Sequence, residues 1–399
     1  LNIQQNTLVK WQPEALEELL YLANIPSSIA HKSGIKKIIH YVASELDTLG
    51  FQKIEYIRSL HKQYTSTLIA ESNPNASQRI ILVCHADTVV APDSSKDFVV
   101  KQGILQGPGV ADNKGGIIVM LNALRQLPIA RLNVNIMVVV SANEELGSPG
   151  FNTYFKKIGA DASAVFGFEP SLPNGDIIIQ RNGNYWLEVI AKGIEAHSGR
   201  CKGEELNIAH DFILKFSDIL NLKKKYPNVK VNIGSLQTAK DVFNIVCGDL
   251  KAKIDFRYSI EDEFQAFLKE VKQVFMGPRL INCDGNAGTL QFMVHDHCPP
   301  LERNDRAQES LSFYQEFIKN IEGRRPELSF SGGASDTNYL SSSSSFCVDG
   351  LGPIGGRLHR MDEYILVSSL TTRANAFANY LNNMGEENGK YFSEYRINQ

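Results

Sequence analysis

The sequence predicts an α/β protein whose mostly parallel sheet carries helices on both faces and is interrupted by a smaller α+β domain. Three observations predict it. Short runs that are apolar throughout, "RIILVC" (79–84), "NIMVVV" (135–140), "ASAVFGF" (162–168) and "SSFCVDG" (344–350), are separated by helix-like segments, and strands without a polar face suit a sheet covered on both sides. Near "QRNGN" (180–184) the texture changes to the order βαββαβ, a ferredoxin-like unit with a one-sided antiparallel sheet. The 399 residues suffice for two or three compact units and a large core.

The elements follow in order. Ile35, Ile38, Ile39, Val42, Leu46 and Leu49 recur at helical spacing over 34–49, and Gly50 follows where a helix C-cap uses glycine. "KGGIIVMLNALRQL" (114–127) reads as the helix between the first two buried strands. The inserted unit reads as strand 185–192, helix 205–222, strands 228–235 and 248–257, helix 261–276 and strand 289–295. The consecutive prolines of "CPPLERN" (298–304) break regular structure and mark its exit. The expected domains are therefore 1–180 with 298–399, and 181–297. The serine run 341–345 is the one low-complexity stretch, read as a loop entering the last buried strand.

Composition excludes several classes. A net charge of −3 gives no electrostatic case for nucleic acid, and no long Lys/Arg block suggests a membrane surface. No apolar run approaches the roughly 20 residues that span a bilayer. The start "LNIQQNTLVKWQPEALEELL" lacks the basic and apolar regions of a signal peptide. Six scattered cysteines with no CxxC pair fit reduced thiols, so the cytoplasm is the expected location.

In an open α/β sheet, ligands bind beyond the carboxyl ends of the strands. His85, Ala86 and Asp87 follow the first buried run, Glu144 and Glu145 the second, Glu169 the third and His359 the fourth. Asp112 sits on the Gly-rich approach "GPGVADNKGG" (107–116), ahead of a helix. Two imidazoles among carboxylates form a donor set for zinc, with cobalt or manganese as alternatives. A divalent charge also explains why Glu144 and Glu145 stand side by side, since adjacent carboxylates repel without one. Taken singly, an HxD or an EE pair is ordinary surface chemistry; the specificity lies in their order and matching structural positions. The Gly-rich loop lacks the GK[ST] ending of a phosphate loop, and no GxGxxG opens a helix after the first strand, so a nucleotide-binding reading is poor.

"CHADTV", "GPGVADNKGG", "ANEELGS", "FEP", "AHSGR" and "GLGPIGGRLHRMDE" together resemble the co-catalytic zinc exopeptidase family of carboxypeptidase G, which includes acetylornithine deacetylase, succinyl-diaminopimelate desuccinylase and the aminoacylases. "SGGASDTNYL…CVDGLGPIGG…H…DEY" is most similar to the glutamate carboxypeptidase branch. The resemblance implies a zinc-exopeptidase-like domain with an inserted lid and dimerisation domain, and two divalent metal ions. His85 and Glu169 would hold one metal, Glu145 and His359 the other, and Asp112 would bridge them. Glu144 would be the general base, and Asp87 would orient the His85 imidazole. His197 in "EAHSGR" would supply an oxyanion donor, in this family commonly from the partner subunit, which implies a homodimer through the lid. Asn244 and Arg257 match the positions that read the substrate's carboxylate; Arg200 carries no role. Three departures stand out: Cys84 where glycine is usual, Cys247 in place of a proline near Asn244, and the serine run. The expected activity is hydrolysis of an amide or peptide bond beside a free C-terminal carboxylate. N-acyl amino acid deacylation or dipeptidase activity is the alternative, and a non-catalytic binding homologue a remote one.

Overall fold

The computed structural model describes residues 13–61, 64–303, 310–341 and 346–386. Residues 342–345 of the expected loop at 341–345, and the first 12 residues, lie outside them. The described residues divide into two compact units, the larger drawn from within 13–180, 310–331 and 335–386 together with residue 303, the smaller of 181–302 and 332–334.

In the larger unit, α1 (Pro13–Ala23) and α2 (Lys32–Thr48) precede β1 (Lys53–Ile57), β2 (Thr67–Glu71) and β3 (Arg79–His85). Gly50, at φ 87°, turns the chain out of α2 in the left-handed region that glycine tolerates. The short strands β4 (Val99–Lys101) and β5 (Ile104–Gln106) lead to α3 (Lys114–Leu124), β6 (Asn135–Ser141), α4 (Asn152–Ala160) and β7 (Ala164–Gly167). The main sheet has six strands in the order β1-β2-β6-β3-β7-β14, where β14 is Phe346–Val348. The β6–β3, β3–β7 and β7–β14 pairings are parallel, and β1–β2 and β2–β6 antiparallel. The sheet is thus mostly parallel, with antiparallel strands at one edge.

All seven residues of β6 are buried, and six of the seven in β3. Alternate side chains of a strand face opposite sides. Ile80, Leu82 and Cys84 join the core cluster that contains α1, α2 and α3, whereas Ile81 and Val83 are buried outside it. Helix α3 is buried at every position but Asn122, because α1 and the C-terminal helix Val367–Glu386 pack on it as well. Its start requires Gly116, where a Cβ would lie 1.9 Å from the Phe168 carbonyl oxygen.

The inserted unit contains β9 (Gly183–Lys192), α5 (Ile208–Leu222), β10 (Val229–Thr238), β11 (Asp249–Tyr258), α6 (Glu261–Met276) and β12 (Thr289–Cys298); β8 (Ile177–Arg181) precedes it. Its sheet runs β10-β11-β9-β12, every pairing antiparallel. This is the ferredoxin-like order expected from the sequence. Leu187, Val189, Ala191, Ile254 and Phe256 pack with Phe212, Phe264 and Phe267 of the helices, while the alternate positions Lys251, Lys253, Asp255 and Arg257 form the other, polar face.

Candidate active site

Strand register places the candidate residues at one end of one sheet. His85 closes β3 opposite Ser141, the last residue of β6, and β7 ends at Gly167, paired with Val83. Beyond β6 the chain makes a short 3-10 turn, Glu144–Leu146, closed by Gly147 at φ 78°. Glu169 follows β7, and His359 lies on the connection into β16 (Tyr364–Leu366), itself at φ 63°. A non-glycine residue in the left-handed region stores on the order of 1–3 kcal/mol of strain, which the surrounding structure must hold.

The side chains converge on Asp112. His85 Nε2 lies 2.8 Å from Asp112 Oδ1 and 3.5 Å from Glu169 Oε1. His359 Nε2 lies 3.2 Å from Asp112 Oδ2 and 3.2 Å from Glu145 Oε2. Each oxygen of one carboxylate therefore faces a different imidazole, and each imidazole has a glutamate of its own. Glu144 Oε2 stands 3.9 Å from His85 Nε2, beside the first group. His85 Nδ1 hydrogen-bonds the Asp87 carbonyl oxygen at 2.9 Å, which turns Nε2 towards the cluster.

Carboxylates crowd the His85 and His359 imidazoles, and the electrostatics follow from that. Burial alone would lower His85, but Glu169, Asp112, Asp87 and Glu144 overcome it and hold the imidazole well above its ordinary value. Hydrogen bonds to Asp112 and Glu145 raise His359 to about 10. Burial opposes ionisation of Asp112, yet the two imidazoles hold it well below the usual carboxylate range. Glu144 and Glu145 are pushed up, by burial first and then by neighbouring carboxylates, with His85 opposing at both and His359 at Glu145.

Two observations fit a metal to these residues. Ligand atoms of His85, Asp112 and Glu145 all lie within 4.8 Å of one another. Glu145 Oε1 is buried and has no hydrogen-bond partner among the described residues, a costly state for a carboxylate oxygen unless a cation completes it.

Buried carboxylates from other segments hold the turns that carry the cluster. The Asp87 carboxylate accepts the backbone N–H groups of Glu144 and Glu145 at 3.1 and 3.0 Å, while its Oδ1 is 3.4 Å from His85 Nδ1. Its carbonyl orients the imidazole, and its carboxylate fixes the glutamate turn. Asp349 Oδ1 accepts from Glu169 N–H at 3.3 Å, and its Oδ2 accepts from the Ser335 and Thr337 hydroxyls. Gly167 makes room for it, since a Cβ there would lie 2.2 Å from Asp349 Oδ1. Asp336 Oδ1 accepts from Ser148 Oγ at 2.6 Å; burial raises its carboxyl to about 6 against the Ser148 and Ser141 hydroxyls. Glu363, against Asp112 and the loop before it, is raised to about 8 by burial and by that neighbour. Sequence reasoning gave Asp336, Asp349 and Glu363 no role, although all three lie in quoted motifs. An acidic residue inside an apolar strand end or a small-residue turn was the available signal.

The other expected residues lie in the inserted unit. His197 and Asn244 come together: His197 bridges Ile245, and Ser198 N–H donates to the Asn244 carbonyl at 2.9 Å. Both are exposed. Arg257 does not join them. It pairs with Asn184 near the far end of β11, eight residues from Asp249, about 26 Å along an extended strand. Asn244 lies past the Asp249 end. The two residues expected to read one carboxylate are therefore at opposite ends of the sheet, and Arg257 Nε–H donates to Asp255 Oδ2 at 3.0 Å.

Residues 81–383 match the sequence pattern of peptidase family M20/M25/M40. The chain belongs to that family. It is similar to carboxypeptidase G2 of Pseudomonas sp. strain RS-16, 24% identical over 383 residues, covering 94% of this chain and 90% of that protein. A succinyl-diaminopimelate desuccinylase of Hydrogenovibrio crunogenus is 25% identical over 329 residues, covering 76% and 83%. Among solved structures, a tripeptidase from Staphylococcus aureus aligns with a TM-score of 0.74 at 20% identity, covering 94% of this chain and 98% of that one. Human carnosine dipeptidase 1 aligns at 0.65 and 16%, covering 96% and 99%. The family resemblance and the fold class read from the sequence both hold. The protein is a metal-dependent hydrolase of the M20 peptidase type. Among the described residues, no helix is long and apolar enough to cross a membrane.

Proposed function

We propose that this chain is a dinuclear zinc hydrolase that cleaves an amide or peptide bond next to a free C-terminal carboxylate, with glutamate-type substrates favoured. The observation that carries the reading is Asp112, whose two oxygens face two imidazoles 2.8 and 3.2 Å away, each with a second carboxylate beside it. Such a carboxylate suits a bridge between two cations. His85 and Glu169 would complete one site, and His359 and Glu145 the other. Bound there, the metal ions would make water acidic near neutral pH and polarise the scissile carbonyl.

The remaining chemistry falls to the chain's own groups. Glu144 accepts the proton of the attacking water and returns it to the departing nitrogen. Asp87 keeps Glu144 and Glu145 in their divergent directions through the two N–H groups it holds. His197 is assigned the oxyanion donor's role, supplied by a partner copy in a homodimer built through the inserted unit. Asn244, beside His197, is assigned to the substrate's carboxylate; Arg257 would serve that purpose only apart from the Asn244 of its own chain. The glutamate carboxypeptidase branch is supported by the carboxypeptidase G2 match over nearly the whole chain. A second reading, N-acyl amino acid deacylation, is favoured by the desuccinylase relatives.

The test is amino-acid release by zinc-reconstituted protein, with a chelator control, from an N-acyl-glutamate, a dipeptide ending in glutamate, N-acetylornithine and an N-succinyl diamino acid. Chelator-sensitive release from the glutamate compounds supports the proposal. Release from the N-succinyl or N-acetyl compound alone moves the protein to the deacylases. Silence across the panel with two metals bound overturns both readings.

A further inference from the structure

We propose that Glu363 is a positioning residue that sets the separation between the two halves of the metal-binding cluster; the inference rests on the metallohydrolase reading above. Asp112 and His359 come from segments far apart in the chain, yet they meet at 3.2 Å. Glu363, four residues after His359, spans that gap. Its Oε1 accepts the backbone N–H groups of Ala111 and of Asp112 itself, at 2.7 and 2.9 Å. Its own carbonyl accepts from Gly107 N–H at 2.8 Å, and Tyr364 next to it pairs with Gln106. The segment carrying His359 is thereby fastened at both ends of the loop carrying Asp112. Glu363 is 2% exposed, so water cannot replace these bonds cheaply.

Satisfying two buried N–H groups would be reason enough for a merely structural acceptor. Position adds a second consequence. Metal–ligand distances tolerate only about 0.2 Å of error, and Glu363 holds the amide of the bridging carboxylate from the segment that carries the opposite imidazole. Loosening this clamp lets Asp112 and His359 drift apart while the sheet and its core remain.

The test uses the full chain with Glu363→Leu, Glu363→Asp and Glu363→Gln, and reads zinc affinity by competition with a chromophoric chelator, beside thermal melting of the metal-free proteins. Leu removes the acceptor, Asp withdraws it by one methylene, and Gln keeps an oxygen in place. Zinc affinity is expected to fall about 10–100-fold in E363L and E363D and to stay within a few-fold of wild type in E363Q. Should E363L fail to fold, E363D carries the test alone. Wild-type zinc affinity in a folded E363L or E363D, even with a lowered melting temperature, overturns the proposal. A wild-type chain that binds no divalent metal overturns the metallohydrolase reading and this inference with it.

Discussion

Glu188 in the inserted unit and Glu145 in the larger one have side chains that are each 6% exposed. Glu188 is matched: Lys251 Nζ stands 2.9 Å away and His295 Nε2 3.3 Å, and these partners, Lys251 first, hold its carboxyl below the usual value. Glu145 is not. Among the described residues its imidazole partner, His359, is shared with Asp112 and its Oε1 has no partner, and burial with Asp112 raises its carboxyl. Among the described residues, Asp112, Glu144 and Glu145 gather around two imidazoles, those of His85 and His359. Equal side-chain exposure thus has two meanings. A carboxylate with its own cation is part of a surface, and a buried carboxylate oxygen that no donor among the described residues reaches is a receptor for one.

The sharpest way to break that comparison is Asp112→Ala. Both sites lose their shared oxygen donor, and metal affinity should fall by more than about 100-fold, with turnover lost; a variant that keeps two metals by elemental analysis would refute the bridging assignment. Glu144→Ala should retain bound metal while kcat falls by about 10²–10⁴-fold, the usual contribution of a general base. Full activity in that variant would remove Glu144 from the mechanism.

Protons give a subtler test. Neighbouring carboxylates raise both His85 and His359, the latter to about 10, so metal binding at pH 7 should displace protons from the cluster. Filling both sites should release protons, and apparent affinity should rise as pH increases from 6 to 9. Calorimetry in buffers of different ionisation enthalpy measures this directly; no release would mean that the cluster is not protonated as its charge requires. The smallest effect belongs to the matched carboxylate. Glu188→Gln should cost about 1 kcal/mol, a melting shift of about 2–4 °C, and leave metal content unchanged. Metal loss in that variant would show that the two regions are not independent.

Much of the fold was legible because its signals are local. The helix expected over 261–276 is Glu261–Met276, and the strand expected over 135–140 is Asn135–Ser141. Boundaries moved where packing, not pattern, sets the end: the strand read as 289–295 runs on to Cys298, because β9 supplies partners through Asn184. The last buried strand ends at Val348, short of the end of "SSFCVDG", since the Asp349 backbone leaves the β7 ladder to pair with Ile178.

Sequence by itself determined the fold class and which chemical groups reach the carboxyl ends of the strands, because apolar periodicity dictates a covered parallel sheet and chain order dictates the residues at each strand's end. Only the tertiary structure decided what each carboxylate does. Asp87 serves the glutamate turn more than the imidazole, Glu363 accepts from backbone and Asp349 from backbone and two hydroxyls, and Asn244 and Arg257 stand at opposite ends of one sheet. A carboxylate's role is set by the donors within about 3 Å of it, and here those donors come from segments that only folding brings together.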